Sequence, residues 1–341
     1  MSRSLAGDAS IEALRTVTSS FEGAEERQGQ IDMAHAIAET LAAGRSIIVQ
    51  AGTGTGKSLG YLVPALLNGK KTVVATATKA LQDQLNRNDL PLLSKHLGID
   101  FSWAVIKGRN NYVCRQRINE LSETAGQLEF EEVSGPTKRE IETILKWAGK
   151  TRTGDFEELP RVPSERARIA VSVSSDECPG KQKCPVGNDC FAEKARDAAA
   201  AADVIVVNLH IYGLHIASGG SLLPEHEVVI FDEAHQLESV MSDTVGVQLA
   251  AGRFTSLASA VRKVIADPTV TSALESQGVR LTQALTPMFG QRLSNPMPTS
   301  VTEPLALARI EINAILGALR GITTDNESTQ QKSYRAQTQA T

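Results

Sequence analysis

Three glycines, a lysine and a serine fall within Ala51-Gly-Thr-Gly-Thr-Gly-Lys-Ser58. In that order, Gly52, Gly54 and Gly56, with Thr53 and Thr55 between them, allow a tight loop whose backbone N–H groups can wrap a polyphosphate. Lys57 would then reach the β- and γ-phosphates of a nucleoside triphosphate, and the Ser58 hydroxyl would enter the shell of a bound Mg2+. Ala51 stands where the general pattern has its first glycine. A second motif, Val228-Val-Ile-Phe-Asp-Glu-Ala-His235, sets two carboxylates at the end of an apolar run. Asp232 there could hold the magnesium ion, and Glu233 could orient and deprotonate an attacking water. His235 follows two residues later, where it could sense the nucleotide state. An Asp-Glu pair alone is commonly just a helix cap; a phosphate loop in the same sheet makes the catalytic reading the stronger one.

The four cysteines, Cys114, Cys178, Cys184 and Cys190, lie between these motifs, separated by 63, five and five residues. Structural zinc usually uses pairs two to four residues apart, and there is none here. Four thiolates also suit an iron–sulfur cluster, and unrelated buried thiols are the third possibility. Pro179 and Pro185 each follow a cysteine, which speaks for polar loops over core packing. Lys107 to Arg117 carries four positive charges, no acid and one tyrosine, leading into Cys114. Such a run suits a phosphate backbone and a stacked base, or merely a solvated face.

These groups need a scaffold. Ser46-Ile-Ile-Val-Gln-Ala51, Thr72-Val-Val-Ala-Thr76, Val204-Ile-Val-Val207 and Val228-Val-Ile-Phe231 read as strands buried on both faces. Helical patterns lie between them, as from Ile31 to Ala43 with Gly44 as a stop. The alternation predicts an α/β fold with a parallel sheet. The expected segments are a sheet-bearing lobe in two parts, 1–109 and 193–238, a cysteine-bearing insertion over 110–192, a helical segment over 239–322 and a polar flexible tail over 323–341. The tail lacks Ile, Leu, Val, Phe, Met and Trp.

The 341 residues, 41% hydrophobic, suffice for a sizeable core, and the net charge of −4 excludes a globally basic nucleic-acid binder. No apolar run approaches the roughly 18 residues of a membrane span. Asp8, Glu12, Glu22, Glu25 and Glu26 near the start do not suit a signal peptide. A cytoplasmic, membrane-free protein is expected, in which thiols stay reduced.

From Arg27 to Leu237 the motifs, taken in order, resemble the iron–sulfur helicases of superfamily 2, specifically the DinG-like, XPD-related proteins. Arg27-Gln-Gly-Gln30 resembles the adenine-reading Arg and Gln, and Gly52 to Ser58 resembles motif I. Thr76 to Gln84, with Thr78, Lys79 and Gln82, is similar to the motif Ia that contacts single-stranded DNA. Lys107 to Cys114, with Arg109, Asn111 and Tyr112, resembles the entry to the cluster domain. Cys178, Cys184 and Cys190 match the remaining ligands, and Ala202 to Asn208 with His210 resembles the return into the sheet. Asp232-Glu-Ala-His235 matches motif II.

The resemblance implies a RecA-like lobe, a 4Fe-4S cluster and ATP-driven 5′ to 3′ movement on DNA in repair or replication. The partners implied are single-stranded and forked or structured DNA, bound by a monomer. In the family a helical arch and a second RecA-like lobe follow motif II, with a Ser-Ala-Thr motif and a late Gln-x-x-Gly-Arg-x-x-Arg motif; neither motif occurs here. The chain therefore reads as truncated before its second motor lobe. The alternative is a non-catalytic ATP- and DNA-binding iron–sulfur module. Only 26 residues precede Arg27, too few for the exonuclease domain that some relatives carry there.

Overall fold

The computed structural model describes residues 5–20, 25–52, 54–124, 135–175, 177–245, 249–265, 267–322 and 327–340. The chain forms two compact units, one from 1–107 with 194–247 and the other from 108–193 with 248–341.

The first unit is built on β1 (Thr72–Thr76), β2 (Trp103–Val105), β3 (Val204–Asn208) and β4 (Val228–Phe231), all parallel in the order β2-β3-β1-β4. Side chains alternate across the sheet, so the β-branched runs feed two cores. Val74, Val204 and Val206 pack with α1 (Leu5–Thr18), α2 (Gln28–Ala42) and α3 (Lys57–Leu67), where Leu14, Ile31 and Leu62 are buried. Leu90 and Leu93 of α5 (Leu90–His96) join that core, just after α4 (Lys79–Gln84) and a π-helical turn, Leu85–Asp89. Val73, Ala75, Ile205 and Val207 face the other way, onto α10 (Leu209–Ala217) and Val240 of α11 (Leu237–Val245). Helices on both faces of a parallel sheet are the α/β arrangement expected of a RecA-like lobe.

Residues 46–51, expected as a strand, pair with nothing in the sheet. Ile48 is 98% exposed, and β4 is the sheet's edge, with Val229 itself exposed. A β-branched apolar run is necessary for a buried strand but not sufficient, since it also needs a neighbouring strand to complete its hydrogen bonds. Hydrogen exchange should report this difference. The amides of 46–51 are expected to exchange like those of an unpaired chain, whereas β1 and β3 stay protected; slow exchange at 46–51 would show the run to be paired. The short strand β2 was not expected, because three residues give too little alternation to read.

The second unit has α6 (Arg115–Thr124), α7 (Gly135–Ala148) and α8 (Glu165–Val171) around Ile141, Ile144 and Val171, and α9 (Phe191–Ala201) begins in it. Its other part packs α12 (Gly252–Arg262), α13 (Thr269–Leu285), α14 (Thr299–Arg320) and α15 (Glu327–Ala340). Their shared core holds Phe254, Leu274, Leu281, Ile315 and Ala336. The segment expected as a flexible tail thus carries a helix. Small residues seat it: Ala336 is buried and the buried Ser333 hydroxyl donates to the Leu319 carbonyl, so a polar sequence docks without large apolar side chains. Among the described residues, no helix is long and apolar enough to cross a membrane.

Candidate functional site

The parallel sheet brings the C-terminal ends of its strands to one edge, where α/β proteins bind ligands. Asp232 follows β4 directly, and its N–H donates to the Ala75 carbonyl of β1. The glycine loop ends at Gly56, whose left-handed backbone (φ 75°) caps the N-terminus of α3. A side chain there would be strained by that φ, and its Cβ would come within 2.2 Å of Gln30 Nε2. Gly54 is also left-handed. The helix dipole of α3 therefore points its positive end into the loop, favouring an anion.

Lys57 Nζ lies 3.0 Å from Glu233 Oε1 across 176 residues of sequence. Glu233 Oε2 in turn lies 3.4 Å from His235 Nδ1, on a largely exposed ring. The expected catalytic group of Lys57, Asp232, Glu233 and His235 is thus assembled at one place. Glu233 has φ 56°, the one non-glycine residue with positive φ among those described. That conformation costs an L residue energy, and such strain concentrates at functional sites. Asp232 is 9% exposed, and burial, reinforced by the Glu233 charge, holds its carboxyl above the usual range. Arg27 and Gln30, read as adenine contacts, donate to the Gly54 and Gly56 carbonyls and so brace the loop. Gly52 is exposed, Thr55 Oγ1 donates to the Gly52 carbonyl, and Ser58 is half-buried; Thr53 lies outside the described residues.

Sequence reasoning missed two neighbours. Tyr61 donates to Asp232 Oδ2 at 3.3 Å, and burial, then the Asp232 charge, pushes its phenol well up. Its position one helical turn after Lys57 was the available signal. Asp89, whose carboxyl burial holds above its ordinary value, had none, because its placement depends on the π-helical turn.

All four cysteines, each half-buried, line one cavity in the second unit, with Arg109, Tyr112 and Glu193. The two five-residue gaps have a structural reason. Each contains a 3-10 turn, Lys181–Lys183 and Gly187–Asp189, and each returns the chain to the same cavity. The turns touch so closely that a Cβ on Gly187 would lie 2.1 Å from the Lys181 carbonyl oxygen. Cys114 is fixed by its N–H donating to the Val171 carbonyl. Burial alone would lower the Arg109 guanidinium, but Cys178, its ion pair with Glu193 and Cys190 together hold it above its ordinary value. Among the described residues, no three His, Cys, Asp or Glu side chains group so as to hold a metal ion.

The expected DNA contacts differ in their exposure. Thr78 and Lys79 are exposed at the start of α4, where Thr78 caps the helix by accepting from the Leu81 N–H. Gln82 is buried, and the largely buried Lys107 ammonium lies 3.4 Å from Asp83. In the second unit, Asn111 donates to the Gly108 carbonyl. Tyr112, expected to stack on a base, is 6% exposed and walls the cysteine cavity. The basic run reads as a surface by composition, but Lys107 and Arg109 are held in ion pairs and Tyr112 is packed.

A DEAD/DEAH box helicase family model matches residues 31–129. The chain is 35% identical over 292 residues to the ATP-dependent helicase DinG of Mycobacterium tuberculosis, covering 81% of this chain and 44% of that protein. It is 39% identical over 241 residues to the ATP-dependent DNA helicase YoaA of Escherichia coli, covering 69% and 37%. To the 3'-5' exonuclease DinG of Bacillus subtilis it is 28% identical over 228 residues, covering 66% and 24%. The chain thus spans less than half the length of these curated relatives. With Lys57 and Asp232-Glu-Ala-His235 converging at one sheet edge, these matches make the chain a member of the DinG-like family of DEAD/DEAH helicases.

Proposed function

We propose that this chain acts within an ATP-dependent DNA helicase, coupling ATP hydrolysis to 5′ to 3′ movement on single-stranded and forked DNA in repair or replication. The observation that carries the reading is the convergence of Lys57 and Glu233 at 3.0 Å beside the buried Asp232. Lys57 would exchange Glu233 for the β- and γ-phosphates, freeing Glu233 to take a proton from the attacking water. Asp232 and Ser58 would hold magnesium, which when bound neutralises phosphate charge. Arg27 and Gln30 would exchange loop carbonyls for the adenine edge, and Thr78 and Lys79 would meet the DNA backbone.

A 4Fe-4S cluster on Cys114, Cys178, Cys184 and Cys190 belongs to the same reading. Structural zinc usually draws on ligand pairs two to four residues apart, and the gaps here are 63, five and five. Thiols that instead ring one cavity suit a cluster whose separate irons each take one. The Arg109 charge beside Cys178 and Cys190 fits an anionic occupant.

Two measurements test these claims. ATP turnover should rise on adding single-stranded oligonucleotide, and the anaerobically purified chain should be brown with about four irons. ATP binding without DNA-stimulated turnover would favour the non-catalytic module. Stoichiometric zinc without iron would overturn the cluster.

A further inference from the structure

We propose that α15 clamps the cysteine loop, with Tyr334 and Gln339 as positioning residues that hold Cys178 and Cys184 in place for the cluster. The proposal rests on the cluster reading above.

Two contacts carry it, both inside the second unit. Gln339 Nε2 donates to Glu177 Oε1 at 3.3 Å, across 162 residues of sequence. The Lys183 ammonium lies 5.7 Å from the centre of the Tyr334 ring, within the range of a cation–π contact. Glu177 directly precedes Cys178, and Lys183 directly precedes Cys184. The helix therefore touches the loop at the residue before each of two expected ligands. Glu177 Oε2 accepts from the Ser174 N–H at 3.3 Å, so one carboxylate ties the start of the loop both to its own chain and to α15.

The helix can act as a clamp because its sides have separate partners. Ser333, Ala336, Gln337 and Ala340 recur at helical spacing and form one stripe. Ser333 and Gln337 donate to the Leu319 carbonyl at 3.3 and 3.4 Å, Ala336 is buried, and Ala340 packs on the same core. At about 100° per residue, Tyr334 and Gln339 fall outside that stripe, one on each flank of the opposite side. One side is thus anchored to the helical bundle while the other grips the loop.

The grip extends along the loop. Its turns, Lys181–Lys183 and Gly187–Asp189, pack so closely that Gly187 has no room for a Cβ against the Lys181 carbonyl. Holding Glu177 and Lys183 therefore also sets the turn that leads to Cys190. Cys114 arrives from a separate segment, fixed at the Val171 carbonyl. Four thiols can serve one occupant only if the loop keeps its place relative to Cys114. Groups that orient ligands in this way, without touching the metal, typically change its retention by about 10- to 100-fold.

The test follows iron release from the anaerobically purified full chain to a ferrous chelator, read as loss of the brown absorbance. Gln339→Glu sets a second carboxylate against Glu177, and Tyr334→Ala removes the ring from Lys183; each should speed release by about 10-fold. Tyr334→Phe keeps the ring, and the exchange of Glu177→Gln with Gln339→Glu keeps the hydrogen bond with its ends reversed; both should stay within about twofold of wild type. A helix that merely stabilises the fold would not give this rescue. Gln339→Ala, which adds no charge, reads the same contact should Gln339→Glu fail to fold. Wild-type release rates in the folded variants, or faster release that the exchange does not correct, would overturn the proposal. A wild-type chain that takes up no iron would instead remove the cluster reading beneath it.

Discussion

Replacing Lys57 with alanine is expected to weaken binding of magnesium-ATP by roughly 10- to 150-fold, the equivalent of the about 1.5–3 kcal/mol carried by a hydrogen bond to a charged group. Lys57 begins α3, directly after the left-handed Gly56, so its ammonium and the helix N-terminus act on the same anion. Its current partner is Glu233 at 3.0 Å. Removing the ammonium therefore does two things: it deletes a phosphate donor, and it leaves Glu233 and Asp232 as adjacent carboxylates that repel the triphosphate. Lys57 also helps keep Asp232 ionised, so the variant should bind magnesium less well at a given pH. Titration with a fluorescent ATP analogue checks the first effect. Unchanged affinity would disconnect Lys57 from the nucleotide.

Asp232→Asn should stabilise the metal-free, nucleotide-free protein at neutral pH while abolishing magnesium-dependent hydrolysis. Burial, then the Glu233 charge, raises the carboxyl pKa in the folded state. Unfolded, an aspartate titrates near about 3.9. Between these two values the folded chain binds more protons than the unfolded one, so stability falls as pH rises through that window. Above the folded-state value the whole penalty is present, and Asn avoids it while its side-chain oxygen can still accept from Tyr61. The gain in melting temperature should therefore be clear at pH 7 and shrink toward zero below the unfolded pKa. A variant that melts lower than wild type at pH 7 would show the carboxylate to be a net stabiliser. Functional sites commonly carry such a cost, because a group poised for a ligand is left imperfectly compensated without it.

Local residue order was enough to mark the glycine loop and the acidic motif. Gly52 to Ser58 and Asp232 to His235 could be read because phosphate binding and carboxylate chemistry demand particular residue types at fixed local spacings, and a parallel sheet gathers strand ends at one edge. Three of the four expected strands, at Thr72–Thr76, Val204–Val207 and Val228–Phe231, followed from apolar, largely β-branched runs, the second extending to Asn208. That four distant cysteines line one cavity was anticipated from their being the chain's whole thiol complement and from the prolines that follow Cys178 and Cys184.

Tertiary structure decided what depends on neighbours. The run at 46–51 has strand composition, yet Ile48 is exposed because pairing is a property of two chain segments and not of one. Lys107, Arg109 and Tyr112 look like a nucleic-acid surface, yet Asp83, Glu193 and the cysteine cavity claim them from elsewhere in the chain. The helix Glu327–Ala340 forms from polar sequence because a groove fits Ala336 and Ser333. Leu85 and Leu90 share one core only through a π-turn that local propensity does not announce. In each case the deciding energy is a long-range contact, a hydrogen-bond partner or a packing surface, and local residue patterns carry no record of which distant segment will supply it.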